Sequence, residues 1–287
     1  MLRKVIIIIG IIAILTFFAL IGVFKVGSYK YWYMFPVAIV IAIICNSSGF
    51  SGSVLFQPIY NLFLNIPIQN AVATGIATET VGMTSGAIRY VYYKMIELPI
   101  GFIMIMLTIP GIVIGNHALM VVNGDIIKLV FGVVICGIAT MQLISAINKK
   151  FGSRKDIPVE DIYGYMWVPP VGGFFSATTG TGIAELAQPV LEKGMKVQTK
   201  RANATAILIE ATADWVITIL NLHAGLIMWE LWLFTGAGVI IGGQIGPYVS
   251  KFMPERIIKI IFGIGVLIFG LFYIAKGIHY FFNITIF

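Results

Sequence analysis

Four acidic residues of this 287-residue chain, Glu79, Glu185, Glu210 and Asp214, fall inside apolar stretches where a charge needs a reason. On insertion scales a carboxylate at the centre of a bilayer costs about 2.5 kcal/mol or more. Glu79 and Glu210 stand 131 residues apart and each lies near the middle of its run. A low dielectric favours the neutral form of a carboxyl group, and a nearby anion reinforces that preference. These two residues therefore read either as proton carriers or as hydrogen-bonded glue between helices. Asp214 follows Glu210 by one helical turn and shares its face. Glu185 comes three residues after Gly182, where the positive end of a short helix suits a carboxylate.

A second group of residues offers donors rather than acids. Asn46-Ser47-Ser48-Gly49-Phe50-Ser51-Gly52 and Ser176-Ala177-Thr178-Thr179-Gly180-Thr181-Gly182 interrupt apolar runs with glycines and hydroxyls. Each reads as a helix stop followed by a new helix start, with Ser51 or Ser53 as the expected N-cap of the first. A helix start presents unpaired N–H groups and the positive end of the dipole, which together attract an anion. The hydroxyls of Ser48, Ser51, Ser53, Thr178, Thr179 and Thr181 add neutral donors. Gln57 and Gln188, one to two turns into the following helices, act either as further donors or in interhelical hydrogen bonds. Neither break holds a lysine or arginine, which favours an anion that is bound and let go. The expected substrate site is Ser48, Gly49, Ser51, Gly52, Gln57, Thr178, Thr179, Gly180, Thr181, Gly182 and Gln188, with Glu79, Glu210 and Asp214 as proton-coupling groups.

The elements that position these groups come in two copies. At a fixed offset of 131, Gly49 pairs with Gly180, Gln57-Pro58 with Gln188-Pro189, Ala73-Thr74 with Ala204-Thr205, and Glu79 with Glu210. Gly111 and Gly115 fall on Gly242 and Gly246, and Ile126-Ile127-Lys128 on Ile257-Ile258-Lys259. Apolar coincidences are cheap in an apolar chain. A glutamate and a Gln-Pro pair recurring in one register are not.

Composition sets the class. The chain is 59% hydrophobic and 11% charged, against about 25% charged residues in soluble domains. An all-α polytopic membrane protein is expected, with spans at 5–24, 71–92, 98–120, 126–147, 203–222, 226–250 and 257–275. The pieces 54–64 and 183–191 are too short to cross, so each break is expected to belong to a re-entrant helical hairpin; the competing reading is a surface loop. Irregular backbone at membrane depth survives only inside protein or beside a wet cavity. The expected units are an N-terminal helix (1–30), a first repeat (31–148), a linker (149–161) and a second repeat (162–287).

A hairpin plus three crossings turns the second copy upside down, the inverted-repeat plan of many transporters. The basic residues agree with that plan. Placing only Lys25, Lys30, Lys128 and Lys276 outside leaves fifteen of the 19 lysines and arginines in cytoplasmic segments. This puts the amino terminus in the cytoplasm and the carboxyl terminus outside. The net charge of +7 is thereby explained by orientation, and a nucleic-acid partner is not expected. The two cysteines, Cys45 and Cys136, lie in apolar runs and provide no disulfide framework or metal cluster. His117, His223 and His279 sit near span ends, and Trp167, Trp229 and Trp232 suit interfacial belts. The Gly-x-x-x-Gly pairs read as packing stripes. No phosphate loop is present, so no cofactor and no ATP-driven step is expected.

The glycine-rich breaks, Pro58 and Pro189, Ala73-Thr74 and Ala204-Thr205, then a charged turn with Ile96 or Ile227 before the Gly-x-x-x-Gly pair, together resemble the TauE/SafE family of sulfite exporters over residues 35 to 277. That resemblance implies movement of sulfur-containing anions, such as sulfite or sulfonates, across the cytoplasmic membrane of prokaryotes. Ser51, Ser53 and Thr181 stand where the family often has glycine, and its general motif does not include Glu79 or Glu210. The expected function is therefore a secondary transporter of small sulfur anions, coupled to protons and working by alternating access in the lipid bilayer. The alternatives are a passive anion channel or a membrane-embedded enzyme using intramembrane acids. The chain has only one intramembrane aspartate and lacks a Gly-x-Gly-Asp pattern, which counts against an enzyme.

Overall fold

Each break is followed by a short helix that packs against one of the long helices. The computed structural model of the chain describes Ile7, residues 29–148, Arg154 and residues 158–282, with side-chain surroundings for all of these except 148, 255, 258, 261 and 276–282. Apart from Ile7, the expected first span at 5–24 lies outside the described residues; so do residues 149–155 apart from Arg154.

The first half consists of α1 (Met34–Ser48), α2 (Ser53–Pro58), α3 (Ile68–Tyr92), α4 (Leu98–Val121) and α5 (Gly124–Asn148). The second consists of α6 (Val168–Thr179), α7 (Ile183–Pro189), α8 (Thr199–His223), α9 (Trp229–Phe252) and α10 (Glu255–Phe282). α3 and α8 begin and end 131 residues apart, as do α4 and α9. Even irregularities recur: Pro58 and Pro189 each hand over to a wide π-helical turn, Ile59–Phe63 and Val190–Gly194. A proline inside a helix lacks the N–H that would continue the ladder, and a wider turn is one way to absorb the loss. The described residues contain no strand. Arg154 bridges backbone-to-backbone to the loop before α8, donating N–H to Lys196 O at 2.9 Å, and its guanidinium pairs with Asp161 at 2.7 Å.

The packing exchanges across the duplication. α1 lies on α9, and α6 lies on α4; α3 meets its counterpart α8, and α5 meets α10. The glycine stripes make these crossings close. A Cβ added at Gly111 would lie 1.8 Å from the carbonyl oxygen of Pro170, and one at Gly242 2.5 Å from that of Ile39. Pro170 and Ile39 are themselves related by the 131-residue offset. Close approach of backbones is how helices gain contact where lipid leaves no hydrophobic drive between them.

The repeated threonines exchange in the same way. Thr74 Oγ1 accepts a hydrogen bond from Met228 N at 3.0 Å, just before α9 begins, and Thr205 Oγ1 accepts one from Glu97 N at 2.9 Å, just before α4 begins. Each half thus satisfies an orphan donor at a helix start of the other.

α4, α5 and α8 are long and apolar enough to cross a membrane among the described residues, while Met34–Ser48 and Phe262–Ala275 are shorter apolar helices. α3 fails on hydropathy although it has 25 residues, because Ala71 through Ala87 are all buried inside the protein and include five hydroxyl side chains and Glu79. A helix surrounded by other helices has no need to be apolar all round. Its hydroxyls join helices instead: Thr80 to Thr218 at 2.7 Å and Thr78 to Thr235 at 2.9 Å. One interfacial expectation is corrected. Trp167 is exposed, but Trp232 is fully buried and donates its indole N–H to Ala77 O at 2.8 Å, so it is a core residue.

The carboxylates that hold two helix starts

Both breaks are built alike. α1 ends at Gly49 (φ +84°) and α6 at Gly180 (φ +74°), left-handed positions that glycine adopts without steric cost. After Gly49 the chain reaches Gly52, the residue before α2, and after Gly180 it reaches Gly182, the residue before α7. The expected serine N-cap is absent: no side chain of its own caps α2. The cap comes from another helix. Glu79 on α3 accepts hydrogen bonds from Gly52 N at 2.6 Å, Ser53 N at 3.0 Å and Ser51 Oγ at 2.7 Å. In the second half Glu210 on α8 accepts from Ala184 N at 2.6 Å and Ser176 Oγ at 3.1 Å. Ser53 and Ala184 are repeat-related, as are the two glutamates. The carboxylates of the long helices thus take the place of an anion at the starts of the short ones.

Glu185 breaks the symmetry. Its Oε2 accepts from Gly182 N at 2.8 Å, one arm of a capping box, and its Oε1 accepts from Ser51 N in the other half at 2.8 Å. Val54 occupies the corresponding position of the first half. Ser51 Oγ reaches Gly180 O at 3.0 Å, so the two breaks touch directly.

The other expected site residues divide into two groups. Ser48, Thr178 and Thr179 do not serve as free donors. Their hydroxyls bond back to Cys45 O at 3.1 Å, Phe174 O at 2.7 Å and Phe175 O at 2.7 Å, the local pattern that short hydroxyl side chains adopt in helices. Thr178 also reaches Gly115 O on α4 at 3.0 Å. By contrast Ser53 Oγ and both polar atoms of Gln57 are buried without a partner among the described residues. They converge: a Cβ on Gly180 would lie 2.8 Å from Ser53 Oγ and 3.4 Å from Gln57 Oε1. Thr181 is fully buried between Gly180 and Gly182.

Asp214 is fully buried, and neither oxygen is hydrogen-bonded among the described residues. One oxygen each from Glu79, Glu210 and Asp214 lies within 4.8 Å of the others. Three hard oxygen donors so close could share a proton or gather round a small cation. Two of the three already accept backbone N–H groups, which leaves Asp214 as the member with all its lone pairs available.

Sequence reasoning missed one buried pair. Lys259, expected in a cytoplasmic segment, is 2% exposed and sits 3.2 Å from Glu192, which is also 2% exposed. Glu192 accepts from Gln188 Nε2 at 3.1 Å and Thr199 Oγ1 at 2.9 Å, and Lys259 donates to Ser145 Oγ at 3.2 Å. Gln188 therefore faces an ion pair rather than an open site. The available signal was Glu192 beside a short helix and a lysine one turn inside an apolar run.

In comparisons with known proteins, a family described as sulfite exporter TauE/SafE matches residues 33–273. No curated protein and no solved structure matches.

Proposed function

We propose, for a chain that belongs to the sulfite exporter TauE/SafE family, that it is a secondary transporter of small sulfur-containing anions such as sulfite and sulfonates. It works across the cytoplasmic membrane by alternating access and is coupled to protons. The chain is a multi-pass membrane protein by family and by its apolar helices. The observation that carries the reading is the meeting of two buried helix starts, one from each half, whose N–H groups are directed at carboxylates. Groups that hold a carboxylate by backbone N–H hold a sulfite or sulfonate oxygen by the same chemistry.

The units follow the sequence reading: an N-terminal helix at 1–30, repeats at 31–148 and 162–287, and a linker between them. The exchange of packing between halves supports an inverted arrangement, in which rocking of one half against the other opens the site to either face. The substrate donors are the backbone at Ser51, Gly52 and Gly182, assisted by Ser53 and Gln57, with Gly49 and Gly180 shaping the turns. Glu79, Glu210 and Asp214 carry the coupling proton. A proton on these groups offsets the repulsion that an arriving anion meets from so many acids. Purified protein in liposomes should accumulate labelled sulfite or a sulfonate under an imposed pH gradient. Uptake that equilibrates but never exceeds the outside concentration under any gradient would mark a passive channel instead.

A further inference from the structure

Among the described residues, Glu185 is the one carboxylate that accepts hydrogen bonds from both breaks. It belongs to the second half, yet it accepts from Ser51 N of the first at 2.8 Å and from Gly182 N of its own at 2.8 Å. Its repeat counterpart is Val54, so the duplication does not require an acid there. The side chain is fully buried. A short helix of this length could be started by glycine alone, and a carboxylate drawn from the protein at this point adds an acid where Glu79, Glu210 and Asp214 already stand.

Unpartnered polar atoms lie against the second break. Ser53 Oγ and both polar atoms of Gln57 are buried without a partner among the described residues, and a Cβ on Gly180 would lie 2.8 Å from Ser53 Oγ and 3.4 Å from the accepting Oε1 of Gln57. A buried polar group left unsatisfied destabilises a protein, so these atoms point to a ligand that satisfies them in another step of the cycle. A carboxylate offers two acceptor oxygens, one to Ser51 N and one to Gly182 N; an oxyanion with three or four oxygens keeps at least one more for a hydroxyl such as that of Ser53.

We propose that the Glu185 carboxylate is a built-in anion that holds the substrate's donors in the empty transporter, so that the substrate oxyanion and Glu185 exclude one another. This rests on the transport reading given above and adds the regulation of its site. Taking up a proton from water gives one Glu185 oxygen an O–H, which can no longer accept from the N–H it faced. The donor is released to the anion as the acid becomes neutral. The other titratable groups around Glu185 are Glu79 on α3, Glu210 and Asp214 on α8, and Cys45 on α1, with the Glu192–Lys259 pair beyond the far end of α7; α2 and α6 carry none. Part of the pH dependence therefore remains when Glu185 is removed.

The experiment measures binding of sulfate, methanesulfonate and sulfite to purified full-length protein in detergent, from about pH 5 to about pH 8. Sulfate and methanesulfonate keep their charge over that range, so their pH dependence reports the protein. The parent should bind more tightly as pH falls. Glu185→Ala should bind at least about tenfold more tightly near pH 8 and show a shallower pH dependence. Glu185→Gln, which keeps the side-chain shape but can accept from only one of the two N–H groups, should fall between. Parent-like affinity and pH dependence in both variants would overturn the proposal while leaving the transport reading in place. If Glu185→Ala does not fold, Glu185→Gln decides alone by the same criterion. Absence of binding of all three anions by parent and variants alike would sink the transport reading and this proposal together.

Discussion

Glu192 and Lys259 form an ion pair at 3.2 Å with both side chains 2% exposed, and it joins the wide turn after α7 to α10. The first half answers this with a neutral contact: Asn61, the counterpart of Glu192, accepts from Tyr273 OH at 3.1 Å. The counterpart of Lys259, Lys128, pairs instead with Asp125 at 2.8 Å and is partly exposed. One half is therefore fastened by buried charge and the other is not.

Removing one partner of a buried pair leaves an uncompensated charge and costs about 3–5 kcal/mol, whereas replacing both by apolar residues is often neutral. Lys259→Ala should lower the unfolding free energy by that amount in detergent. The double replacement Glu192→Leu with Lys259→Met should recover most of it. Chemical unfolding monitored by tryptophan fluorescence separates the two cases, and a double variant no better than Lys259→Ala would show that charge compensation is not what the pair contributes.

Two helix glycines give opposite expectations. A Cβ at Gly111 would meet Pro170 O at 1.8 Å, while one at Gly137 on α5 would meet nothing within 4 Å among the described residues. Gly111→Ala should push α4 off α6 and destabilise by about 1–3 kcal/mol or more. Gly137→Ala removes a poor helix former from an exposed position and should stabilise by up to about 1 kcal/mol. Thermal unfolding of both variants tests the assignment of the Gly111 stripe to packing; equal shifts would contradict it.

Much of this was legible because the duplication fixes register without any structural knowledge. Pairing Gly49 with Gly180 and Gln57-Pro58 with Gln188-Pro189 located both breaks, and the structure ends α1 and α6 at those glycines. The acids were legible as anomalies in apolar runs. Their partners were not, because Glu79 reaches Gly52 and Ser53 across the space between two helices, and no spacing rule connects residues 26 and 27 positions apart. Thr74 and Thr205 were visible as a motif, yet their bonds run to the other half, at separations of 154 and 108. Trp232 was misplaced because indole N–H groups suit interfaces and buried carbonyl partners equally well, and only the partner decides.

The inverted arrangement predicts that repeat-related loops face opposite sides. Asn65 and Lys196 are suitable reporters: both are exposed, and both have positive φ, 55° and 59°, at the same place in the two copies. In a background lacking Cys45 and Cys136, Asn65→Cys and Lys196→Cys should react with an impermeant maleimide from opposite faces of sealed vesicles. Labelling of both from one face would rule the inverted arrangement out.

The coupling proton is expected at Glu79, Glu210 and Asp214, and the structure separates their tasks. Glu79 accepts three hydrogen bonds and Glu210 two, all from the breaks and the starts of the short helices, so their carboxyls brace those helices. Asp214 braces nothing, since neither of its oxygens has a donor, although one lies within 4.8 Å of both glutamates. Truncating Glu79 to Ala should strand Gly52 N and Ser53 N and cost about 1–3 kcal/mol for each donor left unsatisfied. Asp214→Asn should cost little stability, because the side chain it replaces makes no hydrogen bond among the described residues. In proteoliposomes Asp214→Asn should keep sulfite exchange, which needs only the anion site, and lose acceleration by a pH gradient, which needs the proton. Glu210→Gln should weaken coupling more than Glu79→Gln, because Glu210 shares its helix with Asp214. If Asp214→Asn, Glu210→Gln and Glu79→Gln, singly and combined, still respond to the gradient like the parent, these acids only hold helices together and the coupling ion binds elsewhere.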